Sequence, residues 1–331
     1  MESIINKQLN YIKKELTRER EYTQAATIIE FDQMTMCPPM GHEMEGNSAV
    51  RVSNHAFRIR KSAKFIDCIK ALYGEIDSLE EYDRVLVEDL YRTYIHDKDV
   101  SPELFEEFSR IGNNAWVAWS KARETEDVSG YLPELEKVIE SKKKFVSIAG
   151  KMPDEEKYSD YGFLLNLYEN GIDEDVIDEL FRVSKDGITD LLQRIGNSNK
   201  VIRTDFLKRP VRDSQQEEMA KYLMETLGFD FEKGTMAVSE HPFTSLISEN
   251  DVRITTHYYS DNFISNIYSV IHECGHALFE QLLPREDHKY FIEDKKSMGM
   301  HEAISRYYEN ILGRSKAFIS LIYPKVCEIF P

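Results

Sequence analysis

Residues 263–281, FISNIYSVIHECGHALFEQ, restrict the fold more than any other stretch. At about 100° per residue, Phe263, Ile264, Ile267, Tyr268, Val270, Ile271, Cys274, Ala277 and Leu278 cover most of a helix circumference. A helix of that kind has to be covered on nearly every side. Yet it carries His272, Glu273 and His276. Burying such groups without partners costs several kcal/mol, so the fold must supply partners for them. His272 and His276 are four residues apart and return to nearly the same face, where two imidazoles can hold one ion. Glu273 lies one step round, near where a bound water would sit. Zinc takes neutral nitrogen ligands and lowers the pKa of its water toward ~7, and a carboxylate beside that water can take its proton. The competing reading is a helix with solvated His and Glu, and the apolar flanks argue against it. Gly275 leaves room for a close neighbour.

A catalytic ion of this type needs a third protein ligand and an open fourth position. MHEAISRYYEN, Met300 to Asn310, offers one. Glu302, Arg306 and Glu309 fall at i, i+4 and i+7 on one polar stripe, with Ile304, Tyr308, Ile311 and Leu312 on an apolar side. Glu302 is the candidate ligand. Arg306 and Glu309 are candidates for holding the ligands in orientation, or they form a surface ion-pair ladder. His301 is the alternative ligand, although it lies off the stripe.

The rest of the chain supplies the cover. Residues 1–228 read as helix after helix, an N-terminal helical region. Ile4, Leu9, Ile12 and Leu16 mark one apolar stripe, and Ser101 with Pro102 opens a helix in SPELFEEFSRIGNNAWVAWSKARE. DEDVIDELFRVSKDGITDLLQRIG is another helix, apolar at Val176, Ile177, Leu180 and Phe181. Pro38-Pro39 breaks the pattern and forces a corner. Residues 229–331 form the candidate catalytic region. In it DVRITTHYY alternates as a strand, with Val252, Ile254, Thr256 and Tyr258 on one face. Its edge is a candidate for holding a peptide backbone by strand addition. Arg253 on the other face is a candidate for reading a terminal carboxylate, or it pairs with Asp251. His241 and Phe243 line the site or form a rigid turn around Pro242. The expected fold is mostly α, with a small β-sheet next to the His272–His276 helix.

The net charge of −17 argues against nucleic acid and anionic membrane surfaces as partners. Four widely spaced cysteines and no apolar leader suit a reducing cytoplasm.

Four segments now fall in register: HPFT (His241–Thr244), DVRITT (Asp251–Thr256), HECGHALFEQ (His272–Gln281) and HEAISRYYEN (His301–Asn310). In order and spacing they resemble the signature set of the carboxypeptidase Taq family of metallocarboxypeptidases. FDQMTMCPP, AWVAWSKARE and YGFLLNLYENG are similar to further parts of it, so the resemblance runs from about residue 25 to the end. It implies an elongated multi-helix body with a groove, of the type shared with oligopeptidases. It implies a zinc or cobalt enzyme that removes single residues from peptide C-termini, usually as a homodimer. It assigns His272, His276 and Glu302 as ligands and Glu273 as general base. The residues by themselves reach only as far as a metallopeptidase. An oligopeptidase-like metalloendopeptidase and a non-catalytic helical scaffold or partner subunit are the rival readings. Phe31 stands where the family has Trp, and Ala303-Ile304 where it has Ser-Gln. Relatives continue past LIYPKVCEIFP through a further block of helices. The chain is therefore expected to be a fragment that holds the metal chemistry but only part of the substrate-reading wall.

Overall fold

The computed structural model describes residues 3–284, 288–291 and 297–331. Among these the chain is mostly α with a small three-stranded sheet. It forms two compact units. One comprises Met1–Asp154, Asp230–Thr256 and Ala277–Lys295; the other comprises Glu155–Phe229, His257–His276 and Lys296–Pro331.

In the first unit, Ser3 accepts a hydrogen bond from the amide of Asn6 and caps α1 (Ile4–Thr35). Leu9, Ile12 and Leu16 of α1 are buried. They pack with Phe65, Ile69 and Leu72 of α3 (Ala63–Gly74) and with Leu86, Val87 and Leu90 of α4 (Glu81–Asp97). Ile4 is not part of that stripe: it is 75% exposed, and Ile5 packs against the core in its place. Ile5, Leu9, Ile12 and Leu16 then keep the 4-3-4 spacing of one helix face. The prolines make the expected corner. α1 stops at Thr35, a single 3₁₀ turn covers Pro39–Gly41, and α2 (His42–Arg60) follows. Ser101 accepts from the Leu104 amide and Pro102 opens α5 (Pro102–Thr125), which precedes α6 (Leu132–Ile148).

The sheet also belongs to the first unit. Its order is β1 (Gly234–Val238), β3 (Asp251–Thr256), β2 (Thr244–Ser248), with β1 parallel and β2 antiparallel to β3. The central position of β3 corrects two expectations. Both of its edges are taken by partners, so strand addition to it is closed. The strand ends at Thr256, short of Tyr258, and Thr255 is as buried as Val252 and Ile254. Burial of Thr255 is tolerated because its hydroxyl accepts from Ser239 Oγ at 2.7 Å and from the Phe243 amide at 2.9 Å.

The second unit holds α7 (Asp160–Tyr168), α8 (Glu174–Gly196), α9 (Asp213–Leu227) and α10 (Phe263–Gln281) up to His276. It continues with α11 (Met298–Arg306) and α12 (Lys316–Ile329). Met219, Ala220, Leu223 and Met224 bury one side of α9 completely. Gly228 ends α9 at φ 91°, and its amide closes on the carbonyls of Met224 and Glu225. Gln216, fully buried on α9, spends both ends of its amide on the backbone of one residue. Its Nε2 donates to the carbonyl of Tyr259 at 2.9 Å and its Oε1 accepts from the Tyr259 amide at 3.0 Å. Asn266 Nδ2 donates to the carbonyl of His257 at 3.1 Å. These bonds fix the approach to α10. No helix among the described residues is long and apolar enough to cross a membrane.

Candidate metal centre

The burial expected of α10 is present. Val270, Ile271, Cys274 and Ala277 have no exposed surface, and Glu273 retains only 6%. Cys274 has its thiol pushed up to about 12 by burial, which keeps it protonated and inert. Gly275 is where α10 meets its neighbour. A Cβ there would stand 2.9 Å from the Ser305 Cα and 3.1 Å from Tyr308 Cβ. The glycine therefore lets α11 lie directly against the histidine-bearing face.

That contact brings Glu302 to the two histidines. Glu302 Oε2 lies 3.5 Å from His272 Nε2 and 3.3 Å from His276 Nε2. The three donors all lie within 4.8 Å of one another and are the one such group among the described residues. Tetrahedral ligands at ~2.0–2.1 Å from zinc stand about 3.4 Å apart, close to the two spacings from Glu302 to the histidines. The donor set, two imidazoles and a carboxylate, has the right chemistry as well.

The other ring nitrogens are engaged from behind. His272 Nδ1 is 3.1 Å from Glu309 Oε2, and His276 Nδ1 is 2.5 Å from His301 Nδ1. An Nε2 that faces an ion must carry its lone pair there, which puts the proton on Nδ1. His272 then donates to Glu309, and His276 donates to His301. Burial, followed by the neighbouring His301 and His272, drives the pKa of His276 down to about 4, so its ring is neutral at pH 7. Burial works to raise Glu302 and Glu309, but in both the opposing contacts win. The Arg306 guanidinium and His272 hold Glu302 below the usual range, and Arg314, His272 and Arg306 do so for Glu309. Arg306 Nε is 2.7 Å from Glu302 and its NH1 is 3.0 Å from Glu309, while Arg314 NH2 is 2.8 Å from Glu309. Glu309 thus reaches a histidine directly, and Arg306 bridges Glu302 and Glu309.

His301 lies behind His276 rather than in the three-donor group, which leaves Glu302 as the third donor. Two participants were missed from the sequence. Ser305, fully buried, places its hydroxyl 3.2 Å from Glu302 Oε2, and its i+3 spacing from Glu302 was the available signal. Arg314 is brought to Glu309 by a π turn over Tyr307–Leu312, closed by the Gly313 amide on the Tyr308 carbonyl at 2.7 Å. A pattern read at 3.6 residues per turn does not see such a turn. It also changes which side chains are covered, and Ile311, expected on the apolar side, is 65% exposed.

The remaining candidates lie in the first unit. Arg253 makes a paired contact with Asp251, Nε at 2.9 Å and NH2 at 2.7 Å, and its guanidinium sits 5.2 Å over the Phe31 ring. His241 Nδ1 is 2.6 Å from the Pro242 carbonyl oxygen. The Phe243 carbonyl accepts from the Thr255 amide at 2.8 Å, and its ring packs edge-on to Phe31.

Over residues 11–331 the sequence matches the carboxypeptidase Taq (M32) metallopeptidase family. The chain belongs to this family. Among M32 relatives, carboxypeptidase 1 of Bacillus subtilis is 32% identical over 316 residues, 96% of this chain and 62% of its own length. Thermostable carboxypeptidase 1 of Thermus thermophilus is 32% identical over 324 residues, 96% and 63%. The BsuCP crystal structure superposes with a TM-score of 0.89 at 30% identity, covering 98% of this chain and 64% of that one. Pyrococcus furiosus carboxypeptidase gives 0.84 at 29%, covering 98% and 65%. This M32 chain thus spans under two thirds of the length of the relatives it matches. Membership implies a divalent metal at a centre whose donor set fits one.

Proposed function

We propose that this M32 chain carries the catalytic centre of a zinc-dependent carboxypeptidase. The convergence of His272 Nε2 and His276 Nε2 on Glu302 Oε2, at 3.5 and 3.3 Å, carries the reading. His272, His276 and Glu302 hold the ion. When bound, zinc supplies Lewis acidity to a peptide carbonyl and brings the pKa of water toward ~7. Glu273, one residue after His272, takes the proton of the attacking water and hands it to the leaving amine. Glu309 and His301 fix the tautomers and ring planes of the two histidines, and Arg306 with Ser305 holds the Glu302 carboxylate. Arg253 is the residue proposed to meet the substrate's terminal carboxylate. Asp251 takes its Nε–NH2 edge and orients the guanidinium, leaving NH1 for the substrate. His241 and Phe243 are proposed to contact the peptide beside it. Cobalt is the alternative ion.

Free thiols at Cys37, Cys68, Cys274 and Cys327 support a cytoplasmic setting. The proposal includes homodimerisation, on family likeness, which sedimentation would check. The test of function is metal content by elemental analysis together with hydrolysis of paired peptides, free and amidated at the C-terminus. About one zinc per chain, with release of single residues from the free peptide alone, is the expected result. Cleavage of the amidated peptide would move the reading to a metalloendopeptidase. Bound metal without turnover of either peptide would leave a metal-binding scaffold.

A further inference from the structure

Helix α8 has the clearest division of faces in the second unit, and its apolar face is bare. None of its residues is buried. Ile177, Leu180, Phe181, Ile188, Leu191, Leu192 and Ile195 follow one another at helical spacing. Among them Leu180, Phe181 and Leu192 are 58%, 68% and 62% exposed. The helix is otherwise finished. Asp173 caps it by accepting from the Val176 amide at 3.1 Å, and the polar face carries Arg182 between Glu179 and Asp186, and Arg194 beside Asp190. Soluble chains rarely leave an apolar strip of this size open to water.

We infer that this face of α8 is a docking surface for the part of the M32 fold that lies outside the matched region. The occupant is a polypeptide equivalent to the remaining third of the relatives' chains, with an apolar side that covers α8. The superposed structures share 98% of this chain at TM-scores of 0.89 and 0.84, yet only 64% and 65% of their own length is accounted for. More than a third of each of those chains thus lies outside what this chain matches, and α8 is a helix with one apolar side uncovered here. A second copy of the chain suits the face less well. α8 carries six acidic and three basic residues, so two copies would bring like-charged flanks together on chains that each bear −17. The inference rests on family membership and does not depend on the peptidase reading.

The test is to co-synthesise the chain with the segment of Bacillus subtilis carboxypeptidase 1 that lies outside the matched region. Complex formation is read by sedimentation, and the α8 side chains by hydroxyl-radical footprinting. Because Leu180 and Leu191 are 58% and 50% exposed, Leu180→Glu with Leu191→Glu leaves the chain folded, which circular dichroism verifies. A complex is expected in which labelling of Leu180, Phe181 and Leu192 falls severalfold, and the double variant is expected to weaken it at least tenfold. A complex indifferent to the double variant would overturn the inference. So would α8-dependent self-association without binding of the segment. A segment that stays unfolded beside the wild-type chain also counts against it, because the surface on which it should order is present.

Discussion

His272 and His276 each use both ring nitrogens, and that fixes what single substitutions should do. Glu309→Gln removes the carboxylate 3.1 Å behind His272 while leaving all three donors in place. Zinc affinity, measured by chelator competition, is expected to fall about 10- to 100-fold with the helical signal unchanged. Glu273→Gln should do the reverse, keeping the metal and lowering kcat by roughly 10²- to 10⁴-fold. The low pKa of His276 has its own signature in the metal-free chain. Between its ordinary value near 6.5 and about 4, the unfolded chain binds a proton that the folded chain refuses, so stability rises with pH. Thermal midpoints of the metal-free chain are expected to fall as pH drops from 6.5 toward 4, and His276→Asn should flatten that part of the curve. The three candidate donors were legible in the sequence because their spacing in HECGH and HEAIS is local. Ser305, Arg314 and the rear contact of His301 were not, because they depend on how two helices meet.

Between elements, Gly275 is the contact that brings donor to donor. With the Ser305 backbone 2.9 Å from where a Cβ would stand, Gly275→Ala must push α11 away from α10. A loss of about 1–3 kcal/mol in stability is expected from urea unfolding. Zinc binding should weaken as well, because Glu302 moves with α11. Helix starts and stops were largely readable: Ser101-Pro102, the Pro38-Pro39 corner and the α8 span all hold. Strand β3 was found, but not its place between β1 and β2, because pairing order is set by long-range contacts that alternation does not encode. The same limit applies to α8, whose apolar stripe was read correctly and whose exposure was not foreseen.

For the whole molecule, the metal centre belongs to one of the two units, and this has a measurable consequence. His272, His276, Glu302 and Glu309 all fall within His257–His276 or Lys296–Pro331. Zinc at 1,000 times its Kd stabilises what it binds by about 4 kcal/mol. Hydrogen exchange is therefore expected to slow on zinc addition in α9, α10 and α12, with little change in α3 and α4. Chelator should reverse the effect.

The π turn at Tyr307–Leu312 has a further consequence. Such a turn carries one residue more than the α-helical turn it replaces, so it acts as a frame in the helix phase. Deleting Asn310 would let the segment close as an ordinary α-helical turn with the helix beyond it still in phase. Arg314 would then stand four residues after Glu309, still on its face. One codon fewer would thus leave the support behind His272 on its footing, the π turn having absorbed the extra residue all along.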